Sequence, residues 1–246
     1  MKIALIFLLL AVAMFGVAIP TAAAIRPYVR AAFSADQLRV DNINDNIAAN
    51  EQALRAGSGY PIELERVGRA LGPDLSAGFW LTSWMRLGAT YASQKESVRN
   101  DLWIDHQTTG YHYVDDLDFR TEEVGGEVLL RVKRLAGLCL GGQAASSRGS
   151  FSQSFHESDF WSEYHLHGTA ERTRVTWAAF IGIDQTNEQG VAGFLRAGYR
   201  FRNFGAMPAR VTEWDASTSS TYETTTVPLD YSGFFASLGI GYDFHW

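Results

Sequence analysis

The feature that most constrains this chain is the alternation in residues 234–246. Phe234, Ala236, Leu238, Ile240, Tyr242, Phe244 and Trp246 share one flank of a period-two segment, and Phe235, Ser237, Gly239, Gly241, Asp243 and His245 share the other. Successive side chains of a β-strand point to opposite faces, so the first flank is wholly apolar and ends in aromatics. A strand half-buried in a soluble core also alternates. Three alternate aromatics at the end of the greasy flank are instead what a lipid-facing strand carries at an interfacial girdle.

The same alternation recurs along the chain. Val191, Leu195, Ala197, Tyr199 and Phe201 lie opposite Arg196, Arg200 and Arg202; Val175, Trp177, Ala179, Ile181 and Ile183 lie opposite Arg174, Thr176 and Asp184. Val124, Val128, Leu130 and Val132 oppose Glu123, Glu127 and Arg131, and Met85, Leu87, Ala89 and Tyr91 oppose Arg86, Thr90 and Gln94. Segments 74–82, 138–147 and 25–34 repeat the pattern, the last placing Arg26 and Arg30 on the polar side. With residues 233–246 that makes eight strands, each near the ~9–11 residues that a tilted membrane-spanning strand needs. Short turns fall near Ser83-Trp84, Lys133–Ala136 and Gln185–Gln189, and long loops at 35–73, 95–122, 148–172 and 204–229. An even strand count with short turns on one side and long loops on the other predicts an all-β, eight-stranded antiparallel up-and-down transmembrane β-barrel. Backbone polar groups in hydrocarbon must all be paired, which demands closure.

Residues 1–24 read as an address. Met1-Lys2 is a short positive start, Ile3 to Ile19 is unbroken apolar sequence, and Ala22-Ala23-Ala24 offers a small-residue cleavage site. This is the pattern of a secretory signal peptide, which leaves residues 25–246 as the barrel domain. Composition agrees with a folded, exported chain: 46% hydrophobic, 13% aromatic, 21 basic against 27 acidic residues, one cysteine. The acidic balance and the absence of a basic cluster argue against a nucleic-acid binder. Cys139 alone excludes a disulfide framework or a multi-thiolate metal site.

The segment Gly239-Ile-Gly-Tyr-Asp-Phe-His-Trp246 resembles the C-terminal assembly signal of bacterial outer-membrane barrels. Gly241, Tyr242, Phe244 and Trp246 carry the likeness. Ile240 departs from it, standing where a polar residue is usual. Leu75–Gln94, with Arg86-Leu-Gly-Ala-Thr-Tyr91, is similar to hairpins of the OmpA/OmpX/opacity-like small barrels. The resemblance covers the strands and none of the loops. It implies the outer membrane of a Gram-negative-type bacterium as location. The barrel-assembly machinery is the implied partner during biogenesis, with outer-membrane lipid and lipopolysaccharide thereafter. Members of such a fold differ widely in activity.

Two amphipathic helices are expected in the first loop, 35–73. Ser34-Ala-Asp-Gln37 has capping-box form, Val40, Ile43, Ile47 and Leu54 make a helical stripe, and Gly57 is placed to close it. Pro61 is placed to start a second, short helix with Leu64, Val67 and Leu71, ended by Gly72-Pro73. Such an insertion serves either as a cap on the barrel mouth or as a partner-binding or gating element.

The polar flanks would point Arg26, Arg30, Arg86, Arg131, Arg174, Arg196, Arg200 and Arg202 into the lumen with Asp74, Glu123, Glu127, Asp184 and Asp243. An eight-stranded barrel is just wide enough for side chains to fill, so these charges are expected to pair. The excess of arginine leaves a narrow anion-preferring pore as the alternative. No catalytic residue, cofactor or metal centre is expected. His165-x-His167 offers only two ligands, and His156-Glu157-Ser158 only loosely resembles the His-x-Ser pair of lipid-modifying barrels. Residues 150–166 and 211–227, rich in aromatics and threonine, are placed to extend their hairpins beyond the membrane. The function expected is non-enzymatic: envelope structure or surface interaction through the loops. A lipid-modifying enzyme and a soluble barrel with an apolar interior are the rivals.

Overall fold

A computed structural model describes residues 25–106, 109–132, 135, 137–159, 161–226 and 228–244. The expected leader at 1–24 and the terminal Trp246 lie outside the described residues. The strands are β1 (Arg26–Gln37), β2 (Arg69–Trp80), β3 (Met85–His106), β4 (Thr109–Arg131), β5 (Leu138–Ser158), β6 (Glu163–Thr186), β7 (Val191–Phe201), β8 (Asn203–Gly205), β9 (Pro208–Asp215), β10 (Ser219–Thr225), β11 (Leu229–Asp230) and β12 (Gly233–Asp243). One helix, α1 (Asp41–Ser58), joins β1 to β2.

Eight of these strands close a ring. Each neighbour from β1 to β7 pairs with the next, β7 pairs with β12 and β12 returns to β1, all antiparallel. The ring therefore leaves no free edge between its members. Register matches the alternation: Phe33 faces Leu238, Leu238 faces Leu195 and Leu195 faces Ile183. The expected eight strands thus all form, and the turns after β2 and β6 fall where they were expected, while most of the turn expected at Lys133–Ala136 lies outside the described residues. The turn between β6 and β7 rests on Gly190, whose φ of 88° lies in the left-handed region. A Cβ there would meet the Asp243 carbonyl oxygen at 2.4 Å. Gly190→Ala is expected to cost roughly 1–3 kcal/mol of unfolding free energy in a urea titration; a cost under ~0.5 kcal/mol would argue against this turn.

Two loop expectations are corrected. Residues 95–122 are not a loop: β3 and β4 run for 22 and 23 residues and stay paired from Met85↔Leu130 to His106↔Thr109. Residues 148–158 and 163–172 continue β5 and β6 as one hairpin, to the Ser158↔Glu163 pair, which is the extension expected of 150–166. Where β7 ends, β9 takes its place beside the upper part of β6, from Ala170↔Ala209 to Tyr164↔Asp215, and β10 pairs with β9 at the edge. A six-stranded sheet, β10-β9-β6-β5-β4-β3, thereby rises above one arc of the ring.

The helical insertion is also corrected. Ser34 to Gln37 completes β1 instead of capping a helix; Ser34 and Asp36 are buried inside the ring and hydrogen-bonded to each other at 2.9 Å. Helix α1 starts without a side-chain cap and ends at Gly59, not Gly57, in the left-handed conformation. The second helix does not form. Residues 62–68 carry no regular secondary structure, and side chains satisfy their backbone: Asn44 brackets Val67 through two bonds of 2.9 Å, and Asn100 accepts from the Glu65 amide at 2.6 Å. Leu71 and Pro73 belong to β2.

Polarity inverts twice along the long strands. In the ring, inward positions of β4 are Glu127, Glu123 and Thr121, while Leu130, Val128 and Val124 are exposed outside. A few residues further, the inward positions become Phe119, Leu117 and Tyr113, and the outward ones Glu122, Arg120, Asp118 and Asp116. Strand β3 does the same, from buried Arg86, Thr90 and Gln94 to buried Val98 and Ile104. The upper interior is an ordinary apolar core in which Ile43 and Ile47 of α1 pack with Ile62, Leu64, Phe204 and Tyr231. The helix contributes Ile43 and Ile47 to that core. A polar-cored ring therefore carries an apolar-cored head, and strand parity is unbroken between them.

Candidate functional site

Inside the ring the charges form a lattice of two clusters, one above the other. At the short-turn end, Arg30 holds Asp243 at 2.6 Å and Asp184 at 3.5 Å, and Arg86 joins Asp184 at 2.8 Å to Glu127 at 3.1 Å. Arg196 closes on Glu127 at 3.0 Å, Tyr28 donates to the same carboxylate at 3.1 Å, and Arg131 reaches Asp184 at 3.7 Å. Towards the head, Arg202 binds Glu123 at 2.7 Å and Asp36 at 2.5 Å. Arg200 binds Asp36 at 2.6 Å and Asp74 at 2.9 Å. Trp80, Tyr28, Phe194 and Phe235 fill the remaining space, with arginine carbons 4.2–5.3 Å from ring centroids. Guanidinium groups suit this role because they stack on rings and hydrogen-bond in the plane at once.

Two of the expected lumen residues stand outside the lattice. Arg174 is exposed: β7 pairs with β6 only from Trp177 on and β9 only up to Ala170, so Arg174 sits in the gap between them. Arg26 is half-buried and joins none of the described ion pairs. Asp36 was missed, because the capping-box pattern assigned it to a helix. The described lattice pairs six arginines with six carboxylates, so the excess of positive charge behind the anion-passage alternative is not there. Gly241 has a local reason besides any assembly role: a Cβ on it would meet Arg30 Cδ at 2.3 Å.

The outward flank of the ring is the reverse. Leu238, Ile240, Val175 and Phe234 are each about two-thirds exposed, and Leu195, Ile181 and Trp177 at least half. The soluble barrel with an apolar interior is thereby excluded, since its Leu238, Leu195 and Ile181 would meet across the centre. Just above this belt comes a charged tier: Lys95–Asp118 at 3.1 Å, Arg120–Glu122 at 2.5 Å and the Arg148–Glu171 pair. A shallow groove lies in that tier, lined by Lys95, Arg120 and Arg210 together with Asp118, Glu171 and Glu223.

The outer face of the head carries a ladder that the sequence did not announce. Trp103 stacks on His112 at 4.0 Å, His112 meets His156 edge-on at 5.5 Å, His156 stacks on His165 at 4.2 Å, and His165 stacks on Trp214 at 4.8 Å. The rungs come from β3, β4, β5, β6 and β9 in turn. Cross-strand neighbours on one face lie within such reach. His156 and His165 are direct partners in the register, as are Ser154 and His167 one step below. The pair that forms is therefore His156 with His165, and not the expected His165 with His167. Both Nε2 atoms converge on Glu163, His165 at 2.8 Å and His156 at 3.5 Å from the same oxygen. Burial and the neighbouring His165 hold His156 below the usual imidazole range, which favours its neutral form. Ser154 Oγ and His167 Nδ1 are 2.8 Å apart on the open sheet face. Among the described residues, His167 has no bond to a carboxylate. At the tip between β9 and β10, Asp215 accepts the amides of Ser217 and Thr218, at 2.7 Å each, and is held down to about 2.

No known protein family matches the chain, and no curated protein matches it. Solved structures that it resembles include Ail, the attachment invasion locus protein of Yersinia pestis, in complex with the heparin analogue sucrose octasulfate. That likeness has 10% identity and a TM-score of 0.45, over 89% of this chain and 99% of that one. A major outer membrane protein from Thermus thermophilus aligns at 10% identity and TM-score 0.48, over 90% and 100%. The outer membrane protease OmpT from Escherichia coli aligns at 10% and 0.45, over 91% and 98%. The likeness is one of outline. The ring of eight strands stands on its own pairings.

Proposed function

We propose that the chain is an outer-membrane β-barrel with a sealed lumen. Its head stands outside the cell and serves envelope structure or surface interaction without catalysing a reaction. The double inversion of polarity carries this reading. An apolar belt around a ring of buried charges is stable only where the outside is less polar than the inside. The polar exterior and apolar core of the head suit water. The change of surroundings falls between Val124 and Glu122 on β4 and between Tyr91 and Lys95 on β3. Tyr91, Trp177, Phe201 and Phe234 are exposed near that level, as interfacial aromatics are. The charged tier above it, including the exposed Arg174, is placed to meet the phosphates and sugars of lipopolysaccharide. Tyr242, Gly241 and Phe244 end the last ring strand, where the assembly machinery would read them together with Trp246. The lipid-modifying reading from His156-Glu157-Ser158 gains no support: His156 and His165 meet at Glu163 with no serine bonded to either among the described residues, and Ser154–His167 has no bond to a carboxylate.

The balanced ion-pair lattice favours a closed lumen over the anion-preferring pore. In planar bilayers the folded chain is expected to give no stepwise conductance above the bare membrane. Steady anion-selective steps would overturn the sealed lumen. Fractionation should find the chain in the outer membrane with gel mobility that changes on boiling, as a closed barrel resists detergent until heated. Recovery in the soluble periplasm would reject the membrane reading.

A further inference from the structure

The geometry points to a binding site for one divalent transition-metal ion, of the zinc class, formed by His156, Glu163 and His165 on the outer face of the head. The three donor atoms all lie within 4.8 Å of one another. In tetrahedral coordination with bonds of ~2.1 Å, two ligand atoms sit about 3.4 Å apart. The observed separations from Glu163 Oε1, 2.8 Å to His165 Nε2 and 3.5 Å to His156 Nε2, bracket that value.

The arrangement is more than a pair of stacked rings. Stacking alone fixes the ring planes and leaves the nitrogens free to point anywhere in them. Here both Nε2 atoms face the same carboxylate oxygen. His156 Nε2 is buried and makes no hydrogen bond among the described residues; the Glu163 oxygen, at 3.5 Å, is what it faces. The two rings stack at 4.2 Å with planes 11° apart, so one imidazole turns about its Cβ–Cγ bond to let both Nε2 lone pairs meet one ion, while Trp214 stacks on His165. His112 is turned away to Asp101 at 3.0 Å and is not a ligand. The antiparallel register fixes His156 opposite His165, so two ligands come from adjacent strands and the third, Glu163, from two residues before His165. Two imidazoles and one carboxylate match the preference of zinc and its neighbours and not that of calcium or magnesium. Three protein ligands leave a fourth position for water or for a donor on another molecule.

The test uses the untagged mature chain, folded in detergent micelles. Its folding is checked by gel mobility before and after boiling. Zinc ion alone is titrated against a chromophoric chelator. The wild-type chain is expected to take up one equivalent, and His156→Gln, His165→Gln and Glu163→Gln are each expected to weaken binding by at least ~10-fold. His167→Gln should bind as the wild type does. All four positions are on the outer sheet face, so folding should survive, and the mobility shift verifies it in each sample. Absence of saturable uptake by the wild type overturns the proposal. So does uptake that persists in folded His156→Gln and His165→Gln, or that is lost equally in His167→Gln.

Discussion

Glu123→Ala is expected to lower the unfolding free energy of the barrel by about 3–5 kcal/mol, because it removes one partner of a buried ion pair and leaves the other charged. Glu123 receives Arg202 through two nitrogens, at 2.7 and 3.0 Å, and the Thr176 hydroxyl at 3.2 Å. Arg202 has no exposed surface and keeps only Asp36 and Gln94 as partners once Glu123 is gone. Its guanidinium cannot reach water without opening the ring beneath the head. Urea titration of the lipid-reconstituted protein, followed by tryptophan fluorescence, checks the figure. Arg174→Ala is the contrasting variant. Both arginines sit on inward-parity positions in the sequence, yet Arg174 is exposed and should change stability by less than ~0.5 kcal/mol. Equal effects of the two variants would contradict the lattice. A Glu123→Ala cost below ~1 kcal/mol would mean that water already screens the lumen, and the sealed-lumen reading would fall with it.

Leu238→Arg is the second large effect, and it tests which medium surrounds the ring. Leu238 is 67% exposed on the outward flank of β12, between Phe33 of β1 and Leu195 of β7. In water, an exposed leucine replaced by arginine changes stability by no more than ~0.5 kcal/mol. At the middle of a hydrocarbon layer the same change costs roughly 2–4 kcal/mol, because the charge must be desolvated or drag water inward. Refolding into phospholipid vesicles should therefore show that loss. An equal substitution on the head, Thr169→Arg, should be nearly silent, since the side chain of Thr169 is exposed among the charged tier. A silent Leu238→Arg in vesicles would sink the membrane reading, whatever the strand count.

The alternation determined the ring. Every segment in which aliphatic and polar residues exchange at period two became a ring strand, and parity alone placed Arg30, Arg86, Arg196, Arg200 and Arg202 inside. Parity is a local property: one face of a strand is chosen for all its residues at once. What surrounds each residue is not local. Arg174 has the inward parity of Thr176, but whether it is enclosed depends on where β7 stops and β9 begins. Asp36 was hidden by a capping box that is favourable only if a helix starts there, and β1 instead keeps pairing with β2 and β12 to Asp36 and beyond. The head was partly legible. Tyr111, Tyr113, Leu117 and Phe119 alternate with His112, Asp116 and Asp118, but their apolar parity is that of the lumen side. A fixed rule of greasy outside and charged inside therefore read them as a loop. Only the assembled structure gives the two halves of one strand different surroundings. The histidine ladder lies furthest from the sequence, since its rungs belong to five strands and span residues 103 to 214. Their meeting depends on strand register, which is fixed by the closure of the ring below and the packing of α1 above.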